Sequence, residues 1–552
     1  MSTKTRSLNR GIVETSGKTH GSEAFSHSGE EMVSARLLKD LQEMGVELQE
    51  VPYEKKGYCF DGQLEKDKLL QAVEGFDHYG YFIEDIICVD YVENLELIYH
   101  FNHWEDPKRF SLRLRVNPED PEVPSISPIY PGGGWHEREI HEFFGVSFKG
   151  HPNLSFLFLH PEIEYYPLRK IPVRIPEEKK KILQGKMPDL EEEAFWINMG
   201  PQHPSTHGVL RLFLKMRGEF IEEIEPVLGY MHRMQEKMAE MKSYMQYYPN
   251  TARLDYVGPL AFSMCYCGAM ERLCEIEVPE RAEMIRLITL ELNRIASHLL
   301  WLGTYLLDLG AATPYFFAFQ DREAILDILE ELTGSRLTYC YYRIGGLYED
   351  LKDSFLKKVE EFIHRMRKNL KIYDDLVTGN AIFVARTKGI GLIDKEVARH
   401  FGLTGPNLRA SGVAYDVRLS EPYAGYKFLR PKIALLDGGF CYERYLVRVK
   451  EIENSLDLLE EALKRLPDGP FRTEKKIKKP PVGDVYFATE SPRGQVGIYI
   501  VSDGSEKPYR LKWRSPSFCN FISFTEIGKG MLIADAVATL GSLDLVVPEM
   551  DR

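Results

Sequence analysis

The sequence predicts a chain of mixed α+β class, in which a small N-terminal α/β unit precedes a larger, mainly helical unit with peripheral strands. Three observations predict this. Apolar and polar residues alternate from Phe110 to Val116, as in a half-buried strand. Apolar residues recur at helical spacing from Arg281 to Leu309. A proline-containing, charged stretch at residues 171–193 has the composition of a linker between the two units.

Composition narrows the classes of function. The chain has 552 residues, of which 44% are hydrophobic and 28% charged, as in globular proteins with several domains. The formal net charge of −13 argues against nucleic-acid binding over the whole surface. No apolar run is long enough to predict a membrane span, and no apolar signal core begins the chain. Eight cysteines without CxxC spacing indicate no disulfide framework and suit a reducing cytoplasm.

The first unit is predicted over residues 34–170, after a tail at residues 1–33 whose Ser, Gly, Thr and charged residues predict disorder. One amphipathic helix should begin the unit, several strands should follow, and a helix ended by Gly145 should close it. The predicted elements are the helix Ser34–Met44, the strands Tyr79–Val89, Leu95–Phe101 and Phe110–Val116, and the helix Trp135–Phe144.

The second unit is predicted over residues 194–552. Two strands should open it, long helices with charged outer faces should dominate it, and strands should return near its end. The predicted elements are the strands Val209–Met216 and Phe220–Leu228, the helices Arg281–Leu309, Phe355–Leu376 and Tyr442–Leu466, and the strands Gly497–Val501 and Tyr509–Trp513.

Two irregular segments of the second unit carry candidate functional residues. The turn Gly200–Gly208 contains two glycines and two prolines, and such a rigid turn can present His203 and His207 to a ligand. The alternative is an ordinary turn with solvated histidines. The segment 248–256 combines Arg253 and Tyr256 with a carboxylate at Asp255. There the alternative is a plain Arg253–Asp255 ion pair beside a core tyrosine.

Two helices carry further candidates. Asp308 follows a strongly apolar run, so it is either a buried ionisable group of functional interest or an exposed helix-end residue beside Gly310. The charged helix at residues 135–144 contains His136 and His141, which are five residues apart and therefore off the spacing that places two metal ligands on one face. This pattern favours a charged helix that faces a partner.

Several long motifs, in order, give the chain a family resemblance. Those of the second unit resemble the catalytic 49-kDa-type, or D-type, component of respiratory complex I: GPQHPSTHGVLR (200–211), GYMHRMQEK (229–237), ARLDY (252–256), ELNRIASHLLWLGTYLLDLGA (291–311), RIGG (343–346), TGPNLRASGVAYDVR (404–418) and PEMDR (548–552). Those of the first unit, WHEREIHEFFGVSFKGHPNL (135–154) and PLRK (167–170), resemble the 30-kDa-type, or C-type, component. The chain is therefore similar to the fused C/D-type subunits of bacterial NADH:quinone oxidoreductases.

The resemblance implies a fold, a site and partners. It implies a [NiFe]-hydrogenase large-subunit-like fold for the second unit, and a quinone headgroup site in which His207 and Tyr256 meet the two carbonyls. It pairs Asp308 with His207 and places Arg253 near a [4Fe–4S] cluster in an adjacent subunit. This chain would bind no cofactor directly, and quinone would be its substrate. Its partners would be the cluster-bearing B-type and I-type subunits, the G-type subunit and the membrane H-type subunit, with no nucleic acid.

The resemblance also implies an activity and a location. The chain would be a peripheral subunit of a proton-translocating NADH:quinone oxidoreductase, active only in the assembled complex on the cytoplasmic side of the inner membrane. Quinone reduction takes two electrons and two protons, and histidine and tyrosine can each supply a proton to a carbonyl oxygen. An ionised Asp308 would keep His207 protonated, and loss of that proton would leave a negative charge that can bias the coupling step.

The sequence departs from the family's motifs at two places. Thr338 stands where many relatives have a histidine, which predicts a low, nearly pH-independent cluster potential suited to menaquinone. The loop Ser155–Leu159 lacks the family's basic residues.

A hydrogenase would need four metal-binding thiolates, but the turn Gly200–Gly208 has no cysteine and only Cys519 lies near the end of the chain. The other rival is a scaffold without quinone chemistry, and the electron donor stays open between NADH and others.

Overall fold

The computed structural model describes residues 32–160, 162–177, 195–202, 208–475 and 479–552, and it has the mixed α+β class that the sequence predicts. We call residues 32–177 the N-terminal unit and residues 195–552 the C-terminal unit. Residues 1–31, most of the predicted linker and the turn residues from His203 to His207 lie outside the described residues.

A five-stranded sheet forms the centre of the N-terminal unit. Its strand order is β1-β2-β5-β4-β3, with β2 parallel to β5 and the other neighbours antiparallel. The strands of this unit are β1 (Glu47–Glu50), β2 (Phe60–Gln63), β3 (Phe82–Asp90), β4 (Leu95–Asn102), β5 (Phe110–Val116), β6 (Glu122–Pro124) and β7 (Ser147–Lys149). Its helices are α1 (Val33–Glu43), α2 (Tyr53–Lys56), α3 (Leu69–His78) and α4 (Pro131–Phe144).

The predicted strands are present, but the expectation that β5 is half-buried is wrong. All its residues except Arg115 are buried, because the C-terminal unit covers the face that the sequence pattern assigns to water. The alternating polar residues there form ion pairs: Arg113 reaches Asp61, Glu96 and also Asp484 of the C-terminal unit. The strand β3 begins three residues later than predicted, since Gly80 has a φ of 79° and ends a turn.

Long helices dominate the C-terminal unit, as predicted. Its helices are α5 (Gln235–Met241), α6 (Tyr244–Thr251), α7 (Pro259–Leu273), α8 (Glu280–Asp308), α9 (Ala312–Thr333), α10 (Asp353–Tyr373), α11 (Ala381–Thr387), α12 (Lys395–His400), α13 (Gly405–Arg409), α14 (Val417–Ser420), α15 (Cys441–Lys464), α16 (Pro516–Ile522), α17 (Phe524–Ile527), α18 (Ile533–Ser542) and α19 (Val547–Met550). The central helix α8 packs against α9, α15 and α18. Of the helices in the described ranges, none is both long and apolar enough to cross a membrane.

Three small sheets complete the C-terminal unit. The first has the order β10-β9-β8, the second pairs β11 with β12, and the third has the order β13-β14-β15. Their strands are β8 (Phe195–Met199), β9 (Arg211–Arg217), β10 (Phe220–Val227), β11 (Tyr342–Arg343), β12 (Gly346–Leu347), β13 (Gly483–Ser491), β14 (Gly494–Ser502) and β15 (Arg510–Arg514). Because β15 packs against β3, the third sheet forms the seam between the two units.

Candidate quinone-binding site and its surroundings

Tyr256 lies in the short loop between α6 and α7. The preceding carboxylate fixes this loop, because Asp255 Oδ1 accepts hydrogen bonds at 2.9 Å from the backbone N–H groups of Val257 and Gly258. The side chain of Asn293 on α8 adds a second restraint, since its amide nitrogen donates to the Val257 carbonyl at 3.1 Å. The loop that contains Tyr256 is therefore fixed by hydrogen bonds within the loop, to Asp255, and by a hydrogen bond from Asn293 on the central helix α8.

A buried arginine supports this loop from below. Arg493, in the tight turn between β13 and β14, donates from Nη1 to Asp255 Oδ2 at 2.8 Å, and both side chains are inaccessible to solvent. Its Nη2 atom lies 3.2 Å from Ser297 Oγ and 3.6 Å from Asp544 Oδ1. Burial raises the pKa of Asp255, and Arg493 and the two backbone donors oppose that rise. The alternative of an Arg253–Asp255 pair is wrong, because Arg493 takes that place.

The side chain of Tyr256 differs in exposure from its neighbours. The residue is only partly buried, unlike Asp255 before it and Val257 after it. Burial raises the pKa of this phenol above its usual value, while nearby Arg493 lowers it. Tyr256 thus keeps its proton at neutral pH and can donate it to a hydrogen-bond acceptor. The alternative of a fully buried core tyrosine does not describe this side chain.

Arg253 and the segment that contains Thr338 lie together. Arg253 is exposed, donates from Nη1 to the Pro249 carbonyl at 2.5 Å, and places that nitrogen 3.9 Å from Cys340 Sγ. Thr338, two residues before Cys340, has a φ of 52°, in the left-handed region that a β-branched residue rarely adopts. Arg253 thus lies beside the segment that contains Thr338, and the resemblance associates both residues with the [4Fe–4S] cluster of an adjacent subunit.

Asp308 is the last residue of α8. It is partly buried, so it lies between the two predicted alternatives of a buried carboxylate and an exposed helix end. The chain turns immediately afterwards at Gly310, whose φ is 87°. Large apolar side chains are exposed near this helix end: Leu307 is 49% and Phe316 is 68% accessible. The carboxylate therefore borders an apolar surface that the described part of the chain leaves open to solvent.

Gly208, the residue after His207, lies close to residues near the end of the chain. His203 and His207 lie outside the described residues, but Gly208 is described and packs against Val547. A methyl group at Gly208 would come within 3.1 Å of Val547 Cγ2. Asp544, three residues before Val547, is the residue beside Arg493. The segment Leu543–Arg552 thus links the turn before β9 with the support of the Tyr256 loop.

The charged helix α4 faces the C-terminal unit and not solvent. His136 Nδ1 lies 3.3 Å from Asp85, and His141 Nδ1 lies 2.7 Å from the Val146 carbonyl, so the two imidazoles have separate partners. Glu139 crosses the seam, where its two oxygens are each 2.5 Å from a cation, Lys512 Nζ and Arg552 Nη2. Across the seam the helix thus contacts the second unit of the same chain, and its predicted role toward a partner protein stays a prediction.

Sequence reasoning missed the two charges that support Tyr256, Arg493 and Asp544. Arg493 follows Ser491-Pro492 and precedes Gly494, a turn signal between two apolar strands that could have revealed the hairpin. Nothing local in the sequence indicates its pairing with Asp255. Within the described ranges, no group of three or more His, Cys, Asp or Glu side chains is arranged to hold a metal ion.

Comparisons with known proteins agree with this architecture. Residues 63–174 match the family described as respiratory-chain NADH dehydrogenase, 30 Kd subunit, and residues 308–481 and 471–552 match the family described as its 49 Kd subunit. The D-type subunit of NADH-quinone oxidoreductase from Desulfotalea psychrophila is 54% identical over 65% of this chain and 98% of its own. The D-type subunit from Syntrophobacter fumaroxidans is 52% identical over 65% and 97%.

A relative with both parts covers most of the chain. The second C/D-type subunit of NADH-quinone oxidoreductase from Aquifex aeolicus is 38% identical over 88% of this chain and 93% of its own. A single polypeptide that joins a 30 Kd part to a 49 Kd part is a fused subunit of a respiratory oxidoreductase. The chain belongs to the C/D-type family of fused subunits of NADH-quinone oxidoreductase, respiratory complex I.

Proposed function

We propose that the C-terminal unit forms the quinone headgroup site of this complex, with Tyr256 and His207 as the groups that meet the two carbonyl oxygens. One observation carries the proposal. The half-open phenol of Tyr256 rests on a buried Asp255–Arg493 pair, and Asp544 of the same support belongs to the segment that contacts Gly208, the residue after His207. From Asp544 in the support of the Tyr256 loop, the chain therefore reaches Val547 and its contact with Gly208 within three residues.

The chemistry follows from the groups. A quinone carbonyl oxygen becomes basic as it gains electrons, and a donor within hydrogen-bond reach stabilises that charge and can transfer a proton. Tyr256 holds its proton at neutral pH because the ordinary pKa of tyrosine is about 10, and burial raises it further. In the proposal, Asp308 stabilises the protonated form of His207, and proton transfer from this histidine changes the net charge of the pair. That change of charge would bias the step that couples quinone reduction to proton translocation.

The proposal assigns the redox centre to a neighbour. Electrons would come from a [4Fe–4S] cluster in an adjacent B-type subunit beside Arg253, and this chain would bind no cofactor itself. Arg253 supports this role because it is exposed and adjoins Cys340, near the family's variable position at Thr338. The I-type, G-type and membrane H-type subunits would be the other partners, at the cytoplasmic face of the inner membrane. We also propose that residues 171–193 form the linker between the two units. The C-terminal unit, in this proposal, has a fold like that of the [NiFe]-hydrogenase large subunit.

Substitution of one hydroxyl tests the site. Tyr256→Phe in the assembled complex should lower quinone reductase activity at least about ten-fold, since a positioned proton donor contributes roughly 10²–10⁴-fold. Electron delivery from NADH to an artificial acceptor upstream should stay unchanged. Tyr248→Phe is the matched control, because it removes a buried hydroxyl that has no hydrogen-bond partner among the described residues. Full quinone reduction by the Tyr256→Phe complex would refute the proposed site.

A second substitution tests the menaquinone assignment. With threonine at position 338, the cluster potential in the complex should hardly change with pH. Thr338→His should introduce a pH-dependent potential, because imidazole titrates near neutrality. Histidine also adopts the left-handed conformation of this residue more readily than threonine does. Thr338→Ser is the control. A redox titration in which the unmodified complex already shows a clear pH slope contradicts the assignment.

A further inference from the structure

The segment Leu543–Arg552 contacts both sides of the proposed site. At Val547 it lies against Gly208, one residue after His207. At Asp544 it reaches Arg493, which pairs with Asp255, one residue before Tyr256. A displacement of this segment would therefore move Gly208 relative to the support of Tyr256.

Buried polar contacts hold the segment in place. Glu549 Oε1 accepts from the Ser517 backbone N–H at 2.9 Å, and Asp551 Oδ2 accepts from the Met231 backbone N–H at 2.7 Å. These two contacts come from the C-terminal unit itself. The segment then ends on Arg552, which is 3% accessible and needs a buried counter-charge.

That counter-charge comes from the other unit. Glu139 on α4 lies 2.5 Å from Arg552 Nη2, and its second oxygen lies 2.5 Å from Lys512 Nζ on β15. The closest oxygen of Glu236, in the C-terminal unit, is 3.8 Å from Arg552 Nε, and Glu236 pairs instead with Arg510 at 2.7 Å. The direct ion pair of Arg552 is therefore the one with Glu139.

We propose that Glu139 of the N-terminal unit is a positioning residue for the quinone site: through Arg552 it holds the segment Leu543–Arg552 against Gly208 and the support of Tyr256. The inference rests on the proposed function. It gives the N-terminal unit a part in quinone reduction although no residue of that unit belongs to the proposed ligand set. The described ion pairs of Glu139 are with Lys512 and Arg552, so its effect on the site passes through Arg552.

The test compares two buried glutamates of one helix in the assembled complex. Glu139→Gln keeps the shape of the side chain and removes the charge that Arg552 needs. Glu137→Gln is the matched control, because Glu137 is equally buried but accepts from Ser125 Oγ and the Ile126 N–H of its own unit. The readouts are kcat and KM for a soluble quinone, and hydrogen exchange of peptides that cover residues 208–217 and 543–552.

Glu139→Gln should increase exchange in both peptides and lower kcat/KM about ten-fold, as small misplacements of reacting groups do. Glu137→Gln should change neither. Arg552→Gln should also lower kcat/KM, and the Glu139→Gln/Arg552→Gln double variant should be no worse than Glu139→Gln alone, since both changes remove the Glu139–Arg552 ion pair. If Glu139→Gln prevents assembly, Glu139→Asp keeps the charge, shortens the reach and is measured in the same way.

Two results would overturn the inference. One is unchanged exchange at residues 208–217 and 543–552 in Glu139→Gln. The other is a loss of activity that Glu137→Gln reproduces or that adds fully to the loss in Arg552→Gln. Tyr256→Phe, measured in the same series, separates this outcome from failure of the proposed function. If the Tyr256→Phe complex retains full quinone reductase activity, the site assignment fails. If Tyr256→Phe lowers this activity and Glu139→Gln does not, only the positioning role of Glu139 is refuted.

Discussion

The two ends of helix α8 have opposite surroundings. In its inner part, polar and charged side chains are buried and have partners: Arg286 pairs with Glu271 at 2.6 Å, Glu291 pairs with Arg418 at 3.1 Å, and the His298 imidazole lies 2.9 Å from Glu451. At its outer end, Asp308 is partly exposed beside the accessible side chain of Leu307. One helix of 29 residues, about 43 Å long, thus runs from a buried interior with paired charges to a surface that is partly exposed to solvent.

This difference separates residues that we expect to stabilise the fold from residues that we expect to affect activity and assembly. Buried charges are stable only when they are paired and hydrogen-bonded, so the inner part of α8 is fixed by what surrounds it. The outer end is instead open to solvent on one side. We expect substitutions in the inner part to act on stability and substitutions at the outer end to act on activity and assembly.

The largest expected effect is at Glu291. Its carboxylate accepts from Arg418 at 3.1 Å, from Ser455 Oγ at 2.5 Å and from the Tyr426 hydroxyl. Glu291→Gln leaves buried arginines undercompensated and should lower the free energy of unfolding by about 3–5 kcal/mol. Chemical denaturation of the full-length chain measures this. A loss below about 1 kcal/mol would show that the inner network does not depend on this charge.

The same residue predicts a pH dependence. Burial alone would raise the pKa of Glu291, but Arg294 and Arg418 outweigh it and lower the pKa below its usual value. The folded chain therefore binds this proton less readily than the unfolded chain. The stabilisation is present above the unfolded pKa of about 4.3 and is lost as the pH falls through the folded pKa. Denaturation between pH 3 and 6 should show a shallower slope for Glu291→Gln than for the unmodified chain.

A smaller effect on stability and a larger one on activity are expected at Asp308. Asp308→Asn changes a partly exposed helix-end residue and should alter unfolding by at most about 0.5 kcal/mol. In the assembled complex it should reduce proton translocation per electron, because His207 loses the charge proposed to hold its proton. Simultaneous measurement of quinone reduction and proton uptake into vesicles checks this. Unchanged coupling in Asp308→Asn would remove the aspartate from the mechanism.

The smallest effect on the isolated chain is expected at the apolar surface near Asp308. Leu307→Ser combined with Phe316→Ser removes exposed apolar area, so unfolding should change by no more than about 0.5 kcal/mol. Exposed apolar patches of this kind mark contact surfaces, and the double variant should therefore assemble poorly with the other subunits. Native gel analysis of the complex measures assembly. Ile382→Ser, at a separate exposed apolar residue that is 71% accessible, is the control.

The sequence predicts periodic elements well and pairings across the chain poorly. The helical spacing from Arg281 to Leu309 located α8 within one residue at each end, because that pattern is a local property of the chain. The burial of both faces of β5 could not be predicted in the same way, since the covering residue Asp484 lies 371 positions from Arg113. Alternation indicates two faces, but it does not show that a second unit covers the polar one.

In the candidate site, too, local motifs are predictable from the sequence and contacts between distant residues are not. Tyr256, Asp308 and Arg253 are predicted because they lie in long motifs that resemble the family, and the structure adds how far each of them is exposed to solvent. The support beneath Tyr256 was not found, because Asp255 and Arg493 are 238 positions apart. Spacing along a chain carries no information about such a contact unless a motif already contains both residues.

The seam between the units has a consequence for how the molecule forms. Glu139 and Lys512 belong to one polypeptide, so their encounter is intramolecular, at an effective concentration that is typically millimolar for flexibly linked partners. Two diffusing proteins would have to desolvate the same charges at their far lower cellular concentrations. Covalent fusion therefore fixes a one-to-one stoichiometry and makes closure of the seam independent of how much protein the cell produces.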